Sequence, residues 1–312
     1  MSNEDHFQSE AADLTTSASA PGGVPSPPAT VGHGPVTDGR VVSAELTFAV
    51  EDPADIALSI VAARGPRVLA ERLVVTTAGE APVDGPTELA APHGSRMHLV
   101  RAPRGLLSVS YRAELEHGPA TAHGTAPGGG MLTLEQVTYL RPSRYCPSDH
   151  VAGLAVAEFG ALPPGRPRVD AIAAWIHHRI DYVPGSSSVH DSAEHTLLTG
   201  QGVCRDFAHL GVTLCRALGI PARFTAVYAP GLAPMDFHAV FEAWLDGAWR
   251  VYDATRKAPR ASLIRIATGR DAADAAFADV LRGIAPLQSI EVTATTAGDL
   301  PIDNHLSDAL LD

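Results

Sequence analysis

Three residues of the chain have types and settings that could do chemistry together. The first is Cys204, in the stretch Gln201-Gly202-Val203-Cys204-Arg205-Asp206-Phe207-Ala208-His209-Leu210. The stretch reads as a glycine-bearing loop entering a helix, with the cysteine on the first turn. From Cys204 the residues Phe207, Ala208, Gly211, Cys215 and Leu218 keep a helical period. Gly219 then closes the helix and Pro221 blocks its continuation. A thiol on a first helical turn faces unpaired backbone N–H groups and the positive end of the helix dipole. Both favour the thiolate, which is the nucleophilic form. The segment taken alone fits a buried core cysteine equally well.

The other two residues are His238 and Asp253, and the turn between them decides their relation. Phe237 to Leu245 and Ala248 to Thr255 have strand composition, and Asp246-Gly247 is a strong two-residue hairpin signal. That turn faces Leu245 with Ala248, so Val240 falls opposite Asp253 and His238 opposite Thr255. Opposed residues, and residues two apart on one strand, point to the same face. His238 and Asp253 therefore share a face as diagonal neighbours roughly 7 Å apart at the backbone. A carboxylate reaches an imidazole across that gap. A thiol at a helix start, a His on one strand and an Asp on the next make a nucleophile, base and orienter set. Singly, each has a structural reading: a packed thiol, a satisfied core histidine, a turn-capping carboxylate.

These residues need a framework, and the chain divides into stretches that supply one. Residues 1–39 are rich in Ala, Pro, Gly, Ser and Thr and contain no Lys or Arg, which predicts a disordered tail. Residues 40–145 carry short apolar runs separated by Gly, Pro or Asp: Val41 to Val50, Ile56 to Ala63, Val68 to Thr76, Met97 to Ala102, Leu106 to Leu115 and Leu132 to Leu140. That spacing predicts a β-sandwich-like domain of about six or seven strands. His93, His98, His117 and His123 are scattered through it and read as surface residues rather than a metal site.

Residues 146–296 form the expected catalytic core. Ser148 or Asp149 is expected to cap a helix through Phe159. Val169, Ile172, Ala173, Ile176 and Ile180 mark the apolar face of a second helix, on which His177 and His178 point differently. Ala222 to Tyr228 is an expected strand. Ala272 to Arg282 is an expected helix, and Gln288 to Thr296 an expected strand returning to the sheet. Ala297 to Asp312 is an acidic tail, expected to be loose.

The totals exclude several classes. The net charge of −12 argues against a nucleic-acid groove or an anionic membrane as the main partner. No run approaches the roughly 18 apolar residues of a membrane span. Met1 to Glu10 has neither a basic region nor an apolar core, so a cytoplasmic location is expected. Cys146, Cys204 and Cys215 are too few for a disulfide framework. Cys204 and Cys215 would lie roughly 16 Å apart along one helix, too far to bridge. No CxxC pair is present, so no structural zinc is expected.

As a set, three blocks resemble the transglutaminase-like superfamily, whose core is papain-like. They are Gly202-Val203-Cys204-Arg205-Asp206-Phe207-Ala208-His209, Asp236-Phe237-His238-Ala239-Val240-Phe241-Glu242-Ala243-Trp244 and Trp249-Arg250-Val251-Tyr252-Asp253-Ala254-Thr255. Leu140 to Tyr145 and Ile264 to Asp271 resemble its bacterial branch, whose members carry an N-terminal β region. The resemblance implies an α+β fold: a β-sandwich-like domain, then a core with a helix-borne cysteine packed on an antiparallel sheet. It implies Cys204 as nucleophile, His238 as base and Asp253 as orienter, acting on an amide of a peptide or protein substrate through a thioester, with no metal or organic cofactor. Gln201 is a candidate second oxyanion donor beside the Cys204 amide, and Tyr182 a candidate pocket residue. Animal-type transglutaminases carry an aromatic residue directly after the nucleophile, where this chain has Arg205. The reading is therefore a cysteine peptidase or amidase, with a transglutaminase using an amine acceptor, or a non-catalytic binding module on the same fold, as alternatives. Arg205 and Asp206 are read as structural.

Overall fold

A computed structural model of the chain describes residues 39–65, 67–77, 85–116 and 131–311. The amino-terminal tail, apart from Gly39, and His117 and His123 lie outside them.

The first part is built of alternating strands: β1 (Gly39–Val50), β2 (Asp52–Leu58), β3 (Val68–Thr77), β4 (Thr87–Ala90), β5 (Arg96–Ala102) and β6 (Gly105–Glu116). In β1 the side chains of Val42, Ala44, Leu46, Phe48 and Val50 are buried and those between are not, the period of two of a strand with one face on a core. Three helices follow: α1 (Leu134–Thr138), α2 (Ala152–Phe159) and α3 (Arg166–Arg179). Next come β7 (Asp181–Tyr182), α4 (Ala193–Thr199), β8 (Gln201–Gly202) and α5 (Cys204–Ala217). The chain closes with β9 (Ala222–Tyr228), β10 (Phe237–Leu245), β11 (Ala248–Tyr252), β12 (Ile264–Gly269), α6 (Ala272–Ala275), β13 (Ala278–Ile284) and β14 (Leu287–Thr296).

The strands form three antiparallel sheets, ordered β14-β1-β6-β3, β13-β2-β5-β4 and β11-β10-β9-β12, plus a two-residue parallel pair of β7 and β8. The third sheet carries α5 on one face. Gly211 of α5 lies so close to the Phe241 ring of β10 that no Cβ fits between them. One apolar cluster runs from β1 and β6 through α5 to Phe241 and Tyr252. The fold is thus the expected α+β arrangement, with the cysteine helix packed on an antiparallel sheet.

Several expected elements are corrected. Gln288 to Thr296 does not return to the α5 sheet: β14 pairs with β1, Val292 opposite Ala44, at the far edge of the first sheet. Ala272 to Arg282 is a four-residue helix followed by strand β13, which pairs with β2. The last two strands of the expected core thus complete the amino-terminal sheets. Leu132 to Leu140 contains helix α1, not a strand. Thr133 caps it, with Gln136 bonding back in a capping box. Helix α2 starts at Ala152 with no side-chain cap from Ser148 or Asp149. His98 is buried rather than on the surface.

The carboxyl-terminal tail is also not loose. The Arg260 guanidinium holds the Asp303 carboxylate through two bonds of 2.9 Å. The Val251 amide donates to Ala309 O at 2.9 Å, and Leu311 is buried against Val251 and Val240. Among the described residues no helix is long and apolar enough to cross a membrane.

Candidate active site

The loop before α5 is shaped by Asp206. Its carboxylate accepts the Val203 amide at 2.8 Å, satisfying one of the unpaired donors of the helix start. A Cβ on Gly202 would lie 2.7 Å from that of Asp206, so the tight approach requires glycine there. Arg205 donates to Asp206 Oδ1 at 2.8 Å and to the carbonyl of Ser188 at 2.6 Å. It thereby ties the serine-rich loop 186–188 to the helix start, which agrees with a structural role for both residues. Cys204 is left half-buried on the first turn, while Cys146 and Cys215 are fully buried. Burial pushes the Cys146 thiol up to about 12 and raises that of Cys215 further.

The hairpin has the register the turn dictates. Leu245 pairs with Ala248 and Phe241 with Tyr252, and Asp246 and Gly247 both have left-handed backbone, φ 51° and 80°. His238 and Asp253 meet on one face, Nε2 to Oδ2 at 3.0 Å, both inaccessible to solvent. A carboxylate only accepts, so Nε2 carries the proton in this bond. The other nitrogen, Nδ1, is buried and makes no hydrogen bond of standard geometry. Cys204 lies near enough to the ring to interact with it. Burial disfavours the charged imidazole, but the Asp253 charge and hydrogen bond, with Cys204, outweigh it and push His238 up to about 10. Asp253 is held below the usual carboxylate range: burial alone would raise it, and His238 and Thr255 more than offset that.

Asp253 is itself fixed by the turn that follows β11. Its Oδ1 accepts the Thr255 amide at 2.9 Å and the Thr255 hydroxyl at 2.7 Å. The strand pairing ends at Tyr252, so Thr255 is not a cross-strand partner of His238 but the clamp on its orienter. The dipeptide spacing Asp-x-Thr carries that signal in the sequence.

Tyr182, the candidate pocket residue, is half-buried beside Cys204. Its ring packs 5.9 Å from that of Phe207, and burial with the neighbouring Cys204 pushes its hydroxyl up to about 12. Gln201, the candidate second oxyanion donor, is exposed on β8 in the loop before Cys204. His177 bonds the carbonyl of Ala254 at 3.1 Å, and His178 stands beside it. Among the described residues no group of three His, Cys, Asp or Glu side chains is arranged to hold a metal ion.

Arg216, near the end of α5, is a further structural residue not evident from sequence. Its guanidinium bonds the carbonyls of Arg141, Ala222 and Arg270 at 3.0, 3.0 and 2.6 Å. Both stretches outside the three core blocks that resemble the bacterial branch are thus pinned to the cysteine helix.

The chain is similar to known proteins in sequence and in fold. A model of the transglutaminase-like superfamily matches residues 156–254. The uncharacterized protein ML0607 of Mycobacterium leprae is 32% identical over 149 residues, covering 44% of this chain and 52% of that protein. The chain thus matches about half the length of that relative. A solved structure from Cytophaga hutchinsonii, described as that of a candidate cysteine protease, is similar with a TM-score of 0.77 and 36% identity, over 87% of this chain and 96% of its own. The chain belongs to the transglutaminase-like superfamily. Its fold and family are those of proteins with thiol-dependent activity.

Proposed function

We propose that the chain is a cysteine peptidase or amidase in which Cys204 is the nucleophile, His238 the base and Asp253 the orienter. The observation that carries this reading is the buried His238–Asp253 bond of 3.0 Å beside a helix-start cysteine. With Nε2–H committed to Asp253, Nδ1 is the nitrogen free to take the thiol proton. The thiolate adds to the amide carbonyl carbon, and its oxygen becomes the oxyanion, stabilised by N–H groups at the start of α5. Collapse breaks the C–N bond, and His238 returns the proton to the leaving amine. Water, deprotonated by His238, then attacks the thioester. The S–C bond breaks, the acid product leaves, and the thiolate is regenerated. No step requires a cofactor. The substrate class is a peptide or protein amide.

Arg205, directly after the nucleophile, is engaged with Asp206 and Ser188 and offers no aromatic wall for an acceptor, which favours water. The test is to incubate the full chain with a peptide library, with and without a primary amine, and weigh the products. Hydrolysed peptides in both arms, lost in Cys204→Ala, are expected. Amine adducts in place of hydrolysis would make the enzyme a transglutaminase. The absence of any acyl-Cys204 species or product would leave the fold as a binding module.

A further inference from the structure

Lys257 is the only lysine in the chain. Its side chain is exposed, and among the described residues no carboxylate lies within ion-pair distance of it. It is not placed at random. Its backbone amide donates to Thr255 Oγ1 at 3.3 Å, and that hydroxyl is the one that donates to Asp253. The turn that fixes the orienter therefore also fixes where Lys257 emerges. The ammonium stands over the Tyr182 ring, 4.2 Å from its centroid, and Tyr182 neighbours Cys204. A cation over an aromatic face is held by the ring quadrupole while its outer side stays open to a ligand. The result is a fixed, unneutralised positive charge at the rim of the thiol site. Asp236, exposed just before β10 and two residues from His238, is a negative charge whose field reaches Tyr182.

We propose that Lys257 is a specificity-determining residue that binds a carboxylate of the substrate next to the amide attacked at Cys204. This deepens the thiol-hydrolase reading and rests on it. On a chain of net charge −12 the general field repels anions, so a preference for an anion at Cys204 has to be local.

Alkylation reads this directly, without a known substrate. Cys204 in the full chain is treated with anionic iodoacetate and neutral iodoacetamide, and the ratio of the two rates is compared with that of a small free thiol. The expected ratio exceeds the free-thiol value. Lys257→Glu should lower it about five-fold and Lys257→Arg should keep it, as two unit charges exchanged a short distance from a solvated thiol predict. Asp236→Asn should raise it. The ratio cancels any change in the thiolate fraction of Cys204, and an iodoacetamide rate that stays well above that of Cys146 and Cys215 in every variant shows an intact site. A reactive Cys204 whose ratio is unmoved by Lys257→Glu overturns this inference alone. A Cys204 no more reactive than Cys146 and Cys215 overturns the thiol-hydrolase reading and this inference with it. Acidic peptides with free and amidated carboxyl termini then tell the two carboxylate sources apart. Preference kept after amidation assigns a side chain, preference lost assigns the chain terminus, and equal turnover of acidic and neutral peptides again overturns the assignment.

Discussion

Strand β10 carries two buried ionic groups on one face, and they are built for different ends. At its start, His238 bonds Asp253 and leaves Nδ1 without a standard partner beside a half-buried thiol. Four residues on, Glu242 is closed off completely. Arg223 reaches it at 2.8 and 3.2 Å, Arg265 at 2.7 and 2.9 Å, and the Thr225 hydroxyl at 2.8 Å. Arg223 also stacks on Trp249 at 4.1 Å and donates to His93 at 3.1 Å, so the Glu242 cluster joins the third sheet to the turn before β5. A buried charge with every lone pair occupied can only hold the structure. One with a nitrogen left over can exchange a proton. Satisfaction, not burial, separates the two ends of the strand.

Removing the reacting atom should give the largest contrast. Cys204→Ala is expected to lower turnover of any acyl substrate by about 10⁴-fold or more, with an unchanged urea midpoint. A midpoint that falls by more than the error of the measurement would show that the thiol is packing, and would erase the distinction between the two ends. Glu242→Ala should do the reverse. It removes the buried carboxylate on which Arg223 and Arg265 converge, at a cost of about 3–5 kcal/mol. Urea unfolding reads that loss, while Cys204 in the folded fraction should alkylate at the wild-type rate.

The two ends should also fail on opposite sides of neutrality. His238 is raised from 6.5 to about 10, so its contribution to stability is whole below 6.5 and is lost as pH rises through about 10. Glu242 is held well below its ordinary 4.5 by Arg223 and Arg265, against its own burial, so its contribution is present above 4.5 and lost as pH falls. His93 adds to the acid side: burial and Arg223 lower it to about 4, so protonation below 6.5 opposes folding. Urea midpoints from pH 3 to 11, a range chosen to span these values, should therefore decline at both ends, and Asp253→Asn should shift the alkaline limb toward lower pH while removing Asp253's own share of the acid limb. An alkaline limb unmoved in Asp253→Asn would mean that the carboxylate does not hold the imidazolium.

The same contrast explains what the sequence let through. The His238–Asp253 relation was legible because a two-residue turn fixes register over a few residues, and Leu245 opposite Ala248 is all it needs. The cysteine helix was legible from its own period and from Gly219. The Glu242 cluster was not. Arg223, Glu242 and Arg265 stand on three different strands, and only the pairing of β9 with both neighbours brings them together. The same holds for β14, whose partner β1 lies some 250 positions away in the chain, as the Ser43–Thr293 contact shows. No local pattern states which edge a strand will join. Helix α1 is the exception, since the Thr133 and Gln136 capping box stood in the sequence beside an apolar run that favoured a strand.

The smallest effect tests the contrast most finely, because it changes satisfaction without changing charge. Thr255→Val removes the 2.7 Å hydroxyl bond to Asp253 and leaves the 2.9 Å amide bond in place. The lost bond is worth about 1 kcal/mol, somewhat more because its acceptor is a buried carboxylate. If Thr255 acts by fixing Asp253, the same change should loosen the His238 imidazole. Turnover should then fall by several-fold, and the alkaline limb of stability should shift toward lower pH. Thr255→Ser, which restores the hydroxyl, should recover both, whereas it restores neither if the residue only fills space. Were Thr255→Val to lower the urea midpoint while rate and limb stayed put, the clamp would belong with Glu242 among the groups that hold the sheet. The boundary between the two ends of the strand would then have to be drawn between Asp253 and its own turn.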